Sequence, residues 1–422
     1  AALRFGFEEY DGPVLETEEL LTRKSGDEIV EQLYAFEDKG GRRVALRPEM
    51  TPTLARMIIA KGASLPKPIK WFSIPQCWRY ERMQRGRGRE HYQFNLDVVG
   101  VPGVQAECEV LACCVAALEA MGLTHEHVQI RYSSRRLLGD LMKLAGIAGK
   151  KVGPVCLALD KRGKVSDDVL GDMLADAGLK PAQVKAVLDI AAIGSMADAR
   201  DRLSKGEEES TGVEELDEFD KLAAAYGLRN WLTFDIGVVR GLAYYTGIVF
   251  ECYDVDRKFR AILGGGRYDN LLKNLGGEDV TAVGCGFGDM VIMEVLADAG
   301  LPSDSPRESK CMVLPYSEDE RIDAAKIAAQ LRAKGFRIEV GLVPRAKFRK
   351  ALRLADRAGA TVVIIVDRTQ LDKGRLRVRD MVAGEEEEEV IVDIANHPIF
   401  RKSQPDWEAR HGKEQKVKIG GL

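Results

Sequence analysis

Ser73-Ile-Pro-Gln-Cys-Trp-Arg-Tyr-Glu-Arg-Met-Gln-Arg-Gly-Arg-Gly-Arg-Glu-His-Tyr-Gln-Phe-Asn-Leu-Asp97 is the stretch on which the fold turns. Two strand-like runs flank a loop dense in arginine and glycine. Side chains alternate across a strand, so the spacing places Arg79 and Glu81 on one face. By the same rule Gln93, Asn95 and Asp97 share a face on the second strand. The loop supplies Arg82, Arg85, Arg87 and Arg89, and a cluster of guanidinium groups suits a polyphosphate, which arginine grips bidentately. The plainer reading is a solvated basic hairpin. A polar strand face beside apolar neighbours weighs against it.

Four further segments carry polar groups where apolar ones would be ordinary. In Ala45-Leu-Arg-Pro-Glu-Met-Thr-Pro-Thr53, an extended backbone would aim Glu49 and Thr51 at one place. A carboxylate with a hydroxyl receives an ammonium group well; the competing reading makes Thr51 the cap of a helix over 54–60. In Asp235-Ile-Gly-Val-Val-Arg-Gly-Leu-Ala-Tyr-Tyr-Thr-Gly-Ile-Val-Phe-Glu251, Arg240 stands among apolar strand residues and needs a partner or a function. Ile262-Leu-Gly-Gly-Gly-Arg-Tyr-Asp-Asn-Leu271 sets three glycines before an expected helix, either for close approach of backbone to ligand or for a tight turn. Val283-Gly-Cys-Gly-Phe-Gly-Asp289 has the spacing G-x-G-x-G, which does not match the dinucleotide fingerprint, and no G-x-x-x-x-G-K-[ST] loop occurs.

Around these segments the chain reads as a catalytic domain in two parts, 1–149 and 230–301, split by a helical insertion over 150–229. A linker over 302–309, an α/β domain over 310–400 and a tail over 401–422 follow. Strands are expected at 71–75, 94–99, 232–239, 244–253 and 259–263, and helices at 105–122, from Tyr268 and from about Gly288. Beyond the linker, strands at 311–315, 338–342, 361–366, 375–380 and 390–394 alternate with helices at 321–334 and 346–358. The run Glu385–Glu389 reads as a solvated turn, and Lys205–Ser210 as a charged loop. Val343–Lys350 offers four cations at a helix start, and Lys373, Arg375, Arg377 and Arg379 recur with period two.

The chain has 422 residues, 45% of them hydrophobic and 30% charged, ordinary for a globular protein of two or three domains. No apolar run approaches the roughly 20 residues of a membrane-spanning helix, and Ala1–Tyr10 lacks a signal-peptide pattern. Eight cysteines include no C-x-x-C pair, which speaks against a zinc site or a disulfide framework and favours a reducing compartment. The net charge is −4, yet residues 301–422 hold 24 Lys+Arg against 20 Asp+Glu. That asymmetry permits RNA contact without demanding it.

Taken together and in order, these segments resemble the class II aminoacyl-tRNA synthetases, and within them the histidyl-tRNA synthetase family. Phe7-Glu-Glu-Tyr-Asp-Gly-Pro13 is similar to the end of the first class motif, whose proline lies at a dimer interface. The Arg79–Asp97 hairpin is similar to the second motif. Arg240-Gly-Leu-Ala-Tyr-Tyr245 and Leu263-Gly-Gly-Gly-Arg-Tyr-Asp269 are similar to two peptides characteristic of the histidine enzyme. The domain from 310 resembles an anticodon-binding domain.

The resemblance implies an α+β catalytic domain on an antiparallel sheet, a homodimer, and cytoplasmic or organellar location. It implies L-histidine, ATP with Mg²⁺, and tRNA(His) as substrates and partners. Glu49 and Thr51 would hold the α-amino group, Gln93 would line the histidine site, Asp97 and Tyr245 would bracket the imidazole, and Tyr268 would close the pocket. Arg79 would contact the ATP α-phosphate and the histidine carboxylate, Glu81 the adenine amino group, His91 the adenine face, and Arg240 the α-phosphate from the other side. Three departures stand out: Val291 where the third motif has an arginine, His91 in place of a phenylalanine, and Ala243 where many members have aspartate. Arg267 or a loop arginine is the expected substitute for the missing cation. A non-catalytic paralogue that binds histidine or tRNA is the alternative.

Overall fold

A computed structural model describes residues 1–22, 30–163, 165–205, 210–240, 244–302, 310–341 and 348–404. The chain divides into two compact units, residues 1–303 and 304–422.

The first unit is built on β1 (Glu8–Glu9), β2 (Leu15–Thr17), β3 (Ala35–Glu37), β4 (Arg43–Leu46), β5 (Ile69–Ser73), β6 (Gln76–Trp78) and β7 (Glu90–Val99). It continues with β8 (Val128–Ser134), β9 (Leu232–Phe234), β10 (Ile248–Asp254), β11 (Leu263–Arg267) and β12 (Ala282–Gly288). Nine strands form one sheet, ordered β1-β5-β7-β12-β11-β10-β8-β9, with β6 extending the β7 hairpin. Its interior pairs are antiparallel, and only the outer pairs β1/β5 and β8/β9 are parallel. A small antiparallel sheet, β2-β4-β3, stands apart.

One face of the large sheet is apolar, and the other carries a smaller apolar cluster beside polar groups. Leu96, Val98, Val283, Cys285, Phe287, Phe250 and Cys252 alternate onto the side covered by helix α2 (Gln105–Ala120), whose Cys108, Leu111, Cys114 and Leu118 are fully buried. Helix α1 (Thr51–Lys61) and helix α3 (Asp289–Asp298) flank the site described below. The segment after β8 holds helices Val152–Leu159, Asp167–Asp176, Pro181–Ala191, Met196–Lys205 and Thr211–Ala225, packed through Leu170, Leu174, Val187, Ile190, Leu216 and Phe219. Ser166 and Ser210 cap two of these helices through their hydroxyls, as their position ahead of acidic first turns favours.

The second unit contains β13 (Lys310–Pro315), β14 (Ile338–Val340), β15 (Ala360–Val366), β16 (Arg375–Asp380) and β17 (Glu386–Val390), ordered β14-β13-β15-β16-β17. Helices α4 (Arg321–Ala333) and α5 (Phe348–Arg357) belong to it.

Several elements differ from the sequence reading, each for a local reason. The strand expected over 232–239 stops at Phe234, because the Asp235 side chain accepts the Gly237 N–H at 2.9 Å and closes a turn. The strand expected from Tyr244 starts at Ile248. The strand expected over 259–263 is a connection: Asp254 accepts the N–H groups of Lys258 and Phe259 at 2.8 and 3.0 Å, and pairing resumes at Leu263. Both glycine-rich segments are strands, β11 and β12, and the helix expected from Tyr268 is the short Leu271–Asn274. The glutamate run is not a turn. It forms edge strand β17 against the arginines of β16, with Arg377 and Arg379 both paired to Glu386 at 3.1 and 3.2 Å. Of the strand expected over 390–394, only Val390 is in a strand, the end of β17; Ile391–Asn396 is a 3₁₀ helix. Residues 303–309 of the linker, 343–347 of the cationic segment, 206–209 of the charged loop, and the tail from 405 lie outside the described residues.

Candidate active site

The polar face of the large sheet has a floor without side chains. On β11 and β12, Gly264 stands opposite Gly286 and Gly266 opposite Gly284. On the other side of β12, Gly284, Gly286 and Gly288 stand opposite Asp97, Asn95 and Gln93 of β7. Polar side chains lie across this bare surface. A Cβ at Gly284 would overlap Asp97 Oδ1, one at Gly264 would overlap the Arg240 guanidinium, and one at Gly286 would come within 2.6 Å of Gln93 Nε2. The glycines are thus neither a tight turn nor a phosphate loop. They make room for Gln93, Asp97 and Arg240.

At one end of the floor, Asp97 is 2% exposed. Burial, with the Glu49 carboxylate nearby, pushes its pKa up to about 7, against the hydrogen bond that the Tyr268 hydroxyl donates to Oδ1. Among the described residues, buried Oδ2 has no hydrogen-bond partner, nor do buried Asn95 Oδ1 and the Tyr10 hydroxyl. Tyr244, Tyr245 and Tyr268 form an aromatic wall, with ring centroids 4.9 Å apart for the first two and 5.8 Å for Tyr244 and Tyr268. Tyr10, stacked on Trp71 at 5.4 Å, belongs to the same buried cluster.

Glu49 lies just ahead of α1 and accepts a hydrogen bond from the Tyr244 hydroxyl at 3.3 Å. Burial raises its pKa, while Arg79, that hydrogen bond and Arg240 act in the opposite direction. Thr51 is the first residue of α1 and is buried; the cap position is Met50, so the capping role considered for Thr51 is not used.

Two arginines bring positive charge to this region. Arg79 follows directly after β6, so it and Glu81 do not share a strand face. Its Nε donates to the Pro48 carbonyl at 3.0 Å, which ties it to the Glu49 segment. Arg240 has φ 59°, a left-handed conformation uncommon outside glycine. Its guanidinium donates to Glu251 Oε1 at 2.7 Å and lies 5.8 Å from the Tyr245 ring centroid.

The arginine-rich loop folds over this end of the sheet. Gln84 and Arg87 bridge each other's backbone, Arg87 pairs with Glu81, and Arg85 meets Glu294 of α3 at 2.8 Å. His91 is half-buried; burial first and Arg79 second lower its pKa to about 4, so it is a neutral ring at pH 7. Val291 is buried on α3, and a Cβ at Gly86 would stand 3.3 Å from its Cγ2. The loop therefore rests where a longer side chain at 291 would have to pass.

Arg267 is not the replacement cation. It is 1% exposed, and its Nε and Nη2 both donate to the Glu107 carboxylate at 2.7 Å. Further bonds to the carbonyls of Val101 and Gly103 and to the Asp269 carboxylate consume its remaining donors. Ala243 lies outside the described residues. Sequence reasoning gave no role to Glu251. Glu251's signal was a carboxylate in an otherwise apolar strand, which requires a cationic partner.

Among the described residues, no group of three or more His, Cys, Asp and Glu side chains converges to hold a metal ion, and no helix is long and apolar enough to cross a membrane.

Comparison with known proteins gives the family. The profile described as Histidyl-tRNA synthetase matches residues 1–288, and that described as Anticodon binding domain matches 310–396. The chain is 42% identical over 390 residues to the chloroplastic/mitochondrial histidine–tRNA ligase of Arabidopsis thaliana, covering 92% of this chain and 79% of that protein. It is 42% identical to the histidine–tRNA ligase of Opitutus terrae, covering 90% and 87%. Its fold matches the histidyl-tRNA synthetase of Nostoc sp. with a TM-score of 0.76 at 24% identity, covering 95% and 93%. A Bacillus halodurans chain titled an ATP phosphoribosyltransferase regulatory subunit/histidyl-tRNA synthetase shares the fold with a TM-score of 0.65 at 21% identity, covering 84% and 89%. With the site's geometry and relatives this similar across nearly its whole length, the chain belongs to the histidyl-tRNA synthetase family.

Proposed function

We propose that this protein activates L-histidine with ATP, giving histidyl-adenylate and pyrophosphate, and then transfers the histidyl group to the 3′-terminal ribose of tRNA(His). The observation that carries this reading is the gathering of Glu49, Asp97, Tyr245, Tyr268, Arg79 and Arg240 around a glycine floor. In this reading the imidazole enters between Asp97 Oδ2, which has no partner among the described residues, and the Tyr245 hydroxyl. Tyr268 closes the pocket, Gln93 lines it, and Glu49 with Thr51 receives the ammonium group. A pocket that pairs both ring nitrogens rejects analogues lacking them by about 10⁴–10⁵-fold, since its polar groups would be left unpaired.

The histidine carboxylate attacks the α-phosphorus, and the bond to the bridging oxygen of pyrophosphate breaks. Negative charge builds on the phosphoryl oxygens, and Arg79 and Arg240 oppose it as fixed cations that need no reorganisation. Glu81 reads the adenine amino group, and the neutral His91 ring stacks on the base. Mg²⁺ keeps several waters and binds mostly substrate phosphates. Bound with ATP, it would supply charge neutralisation on the phosphates beside Arg79 and Arg240.

The second unit would hold the anticodon stem-loop. Exposed Leu15, two residues after Pro13, and exposed Phe36 of the same small sheet favour a homodimer. Eight buried free cysteines suit a reducing compartment, cytoplasmic or organellar.

The test is exchange of labelled pyrophosphate into ATP by the purified chain. Exchange that depends on histidine and is lost in Arg240→Ala supports the reading. Folded protein that binds histidine without exchange would favour a non-catalytic paralogue, for which Val291 is the specific argument.

A further inference from the structure

Arg240 reaches the floor from a residue with left-handed backbone, and something must aim its long side chain. The sheet supplies it. Glu251 on β10 stands directly opposite Gly264, over which the Arg240 guanidinium lies. Glu251 Oε1 accepts from Arg240 Nη1 at 2.7 Å. Its other oxygen, Oε2, accepts from the Tyr253 hydroxyl at 2.5 Å. Tyr253 is the next residue on the same strand face, and Arg257, with φ 54°, stacks on its ring at 4.3 Å. A line of groups therefore runs from the β10–β11 connection to the guanidinium: Arg257, Tyr253, Glu251, Arg240.

The same connection also touches the arginine-rich loop. Arg260 donates to the Gln84 side chain at 2.8 Å, and Arg85 sits 5.1 Å from the Phe259 ring centroid. Lys258 pairs with Asp298 of α3 at 2.9 Å, which anchors the connection to the helix beneath the loop.

We propose that Glu251 is the positioning residue that aims Arg240 at the α-phosphate, and that Tyr253 fixes Glu251 through its second oxygen. This rests on the reading of Arg240 given under the proposed function. A carboxylate held from both sides keeps the guanidinium in one plane over Gly264, so its donors are set before substrate arrives. Preorganised donors of this kind act on the reaction step more than on substrate affinity, because their alignment matters most where charge develops.

The experiment is a double-mutant cycle in histidine-dependent pyrophosphate exchange with the full chain. Glu251→Gln should lower kcat by about tenfold with the histidine KM within about twofold of wild type. Tyr253→Phe should lower kcat by about threefold in the same pattern. In an Arg240→Gln background, Glu251→Gln should change the residual rate by less than about twofold, since the group it positions is gone. Additive losses, or wild-type kcat in folded Glu251→Gln, would overturn the proposal. If Glu251→Gln does not fold, Tyr253→Phe decides alone, and full activity there counts against it. Absence of exchange from the wild-type chain would instead reject the reading of Arg240 itself.

Discussion

Gly284 and Asp97 face each other across β12 and β7, and the carboxylate occupies the space that a side chain at 284 would need. The Tyr268 hydroxyl, which holds Asp97, is 3.0 Å from the same point. Gly284→Ala should therefore displace both groups. Misplacement of this size costs about 10²-fold in catalytic efficiency, and kcat/KM for histidine in pyrophosphate exchange measures it. An alanine enzyme with normal efficiency would mean that Asp97 does not contact histidine.

Asp97 also predicts a pH dependence. Its pKa is raised by burial to about 7, so it is largely protonated below that pH and ionised above it. The ionised form accepts an imidazole N–H at Oδ2 more strongly than the protonated form, whose O–H is a donor. The groups facing it are Glu49 ahead of α1, Tyr268 after β11 and Tyr10 after β1. kcat/KM for histidine should rise with pH through about 7. In Asp97→Asn the limb should move to that of free imidazole, about 6.5. For folding the sign is the reverse: a raised carboxyl pKa contributes stability at low pH that is lost as pH climbs towards 7.

Arg267 and Glu107 predict a stability effect without a direct catalytic one. They are 1% and 0% exposed and joined by two hydrogen bonds. Arg267→Met leaves Glu107 buried and unpaired, at a cost of about 3–5 kcal/mol. Denaturant unfolding reads this directly. Arg267→Met with unchanged stability would show that Glu107 finds another partner or stays neutral.

Val291 predicts that restoring an arginine does not restore a phosphate grip. Gly86 rests on Val291, so Arg at 291 must push the arginine-rich loop aside. The KM for ATP should rise roughly fivefold, the equivalent of about 1 kcal/mol of strain. A lower KM in Val291→Arg would show instead that the loop yields and that the missing cation limits ATP binding.

In the second unit, the arginines of β16 are already matched: Arg375 meets Glu388 at 3.3 Å, and Arg377 meets Asp367 at 2.9 Å and Glu386 at 3.1 Å. The exposed face of α5 carries Arg349, Lys350, Arg353 and Arg357. Arg353→Ala should weaken tRNA binding and reduce its salt slope by about one. Arg375→Ala should leave the slope unchanged. Equal effects of the two, in filter binding across salt concentrations, would reject α5 as the phosphate-contacting face.

Much of the architecture follows from local pattern. The alternation in 94–99 and the apolar stripe of 105–120 name a strand and a helix because period two and period 3.6 bury different residues. The α/β alternation after residue 310 is legible for the same reason. The glycine-rich segments were harder. A glycine has no side chain to declare its periodicity, so β11 and β12 look like turns until their partners are known. The glutamate run is similar: five like charges look solvated until an arginine strand lies beside them.

By itself the sequence determined which residue types are available: a basic loop, a lone arginine in an apolar run, paired tyrosines, and the order in which they come. Local backbone preference and burial period depend on near neighbours, so one chain suffices to express them. What only the tertiary structure decided is pairing. Arg267 became a buried partner of Glu107 and not a spare cation, Arg240 found Glu251 over Gly264, and Asp97 found its space opposite Gly284. The cost of burying a charge depends on what lies within a few ångströms of it, and strand register, set by the whole sheet, fixes those neighbours.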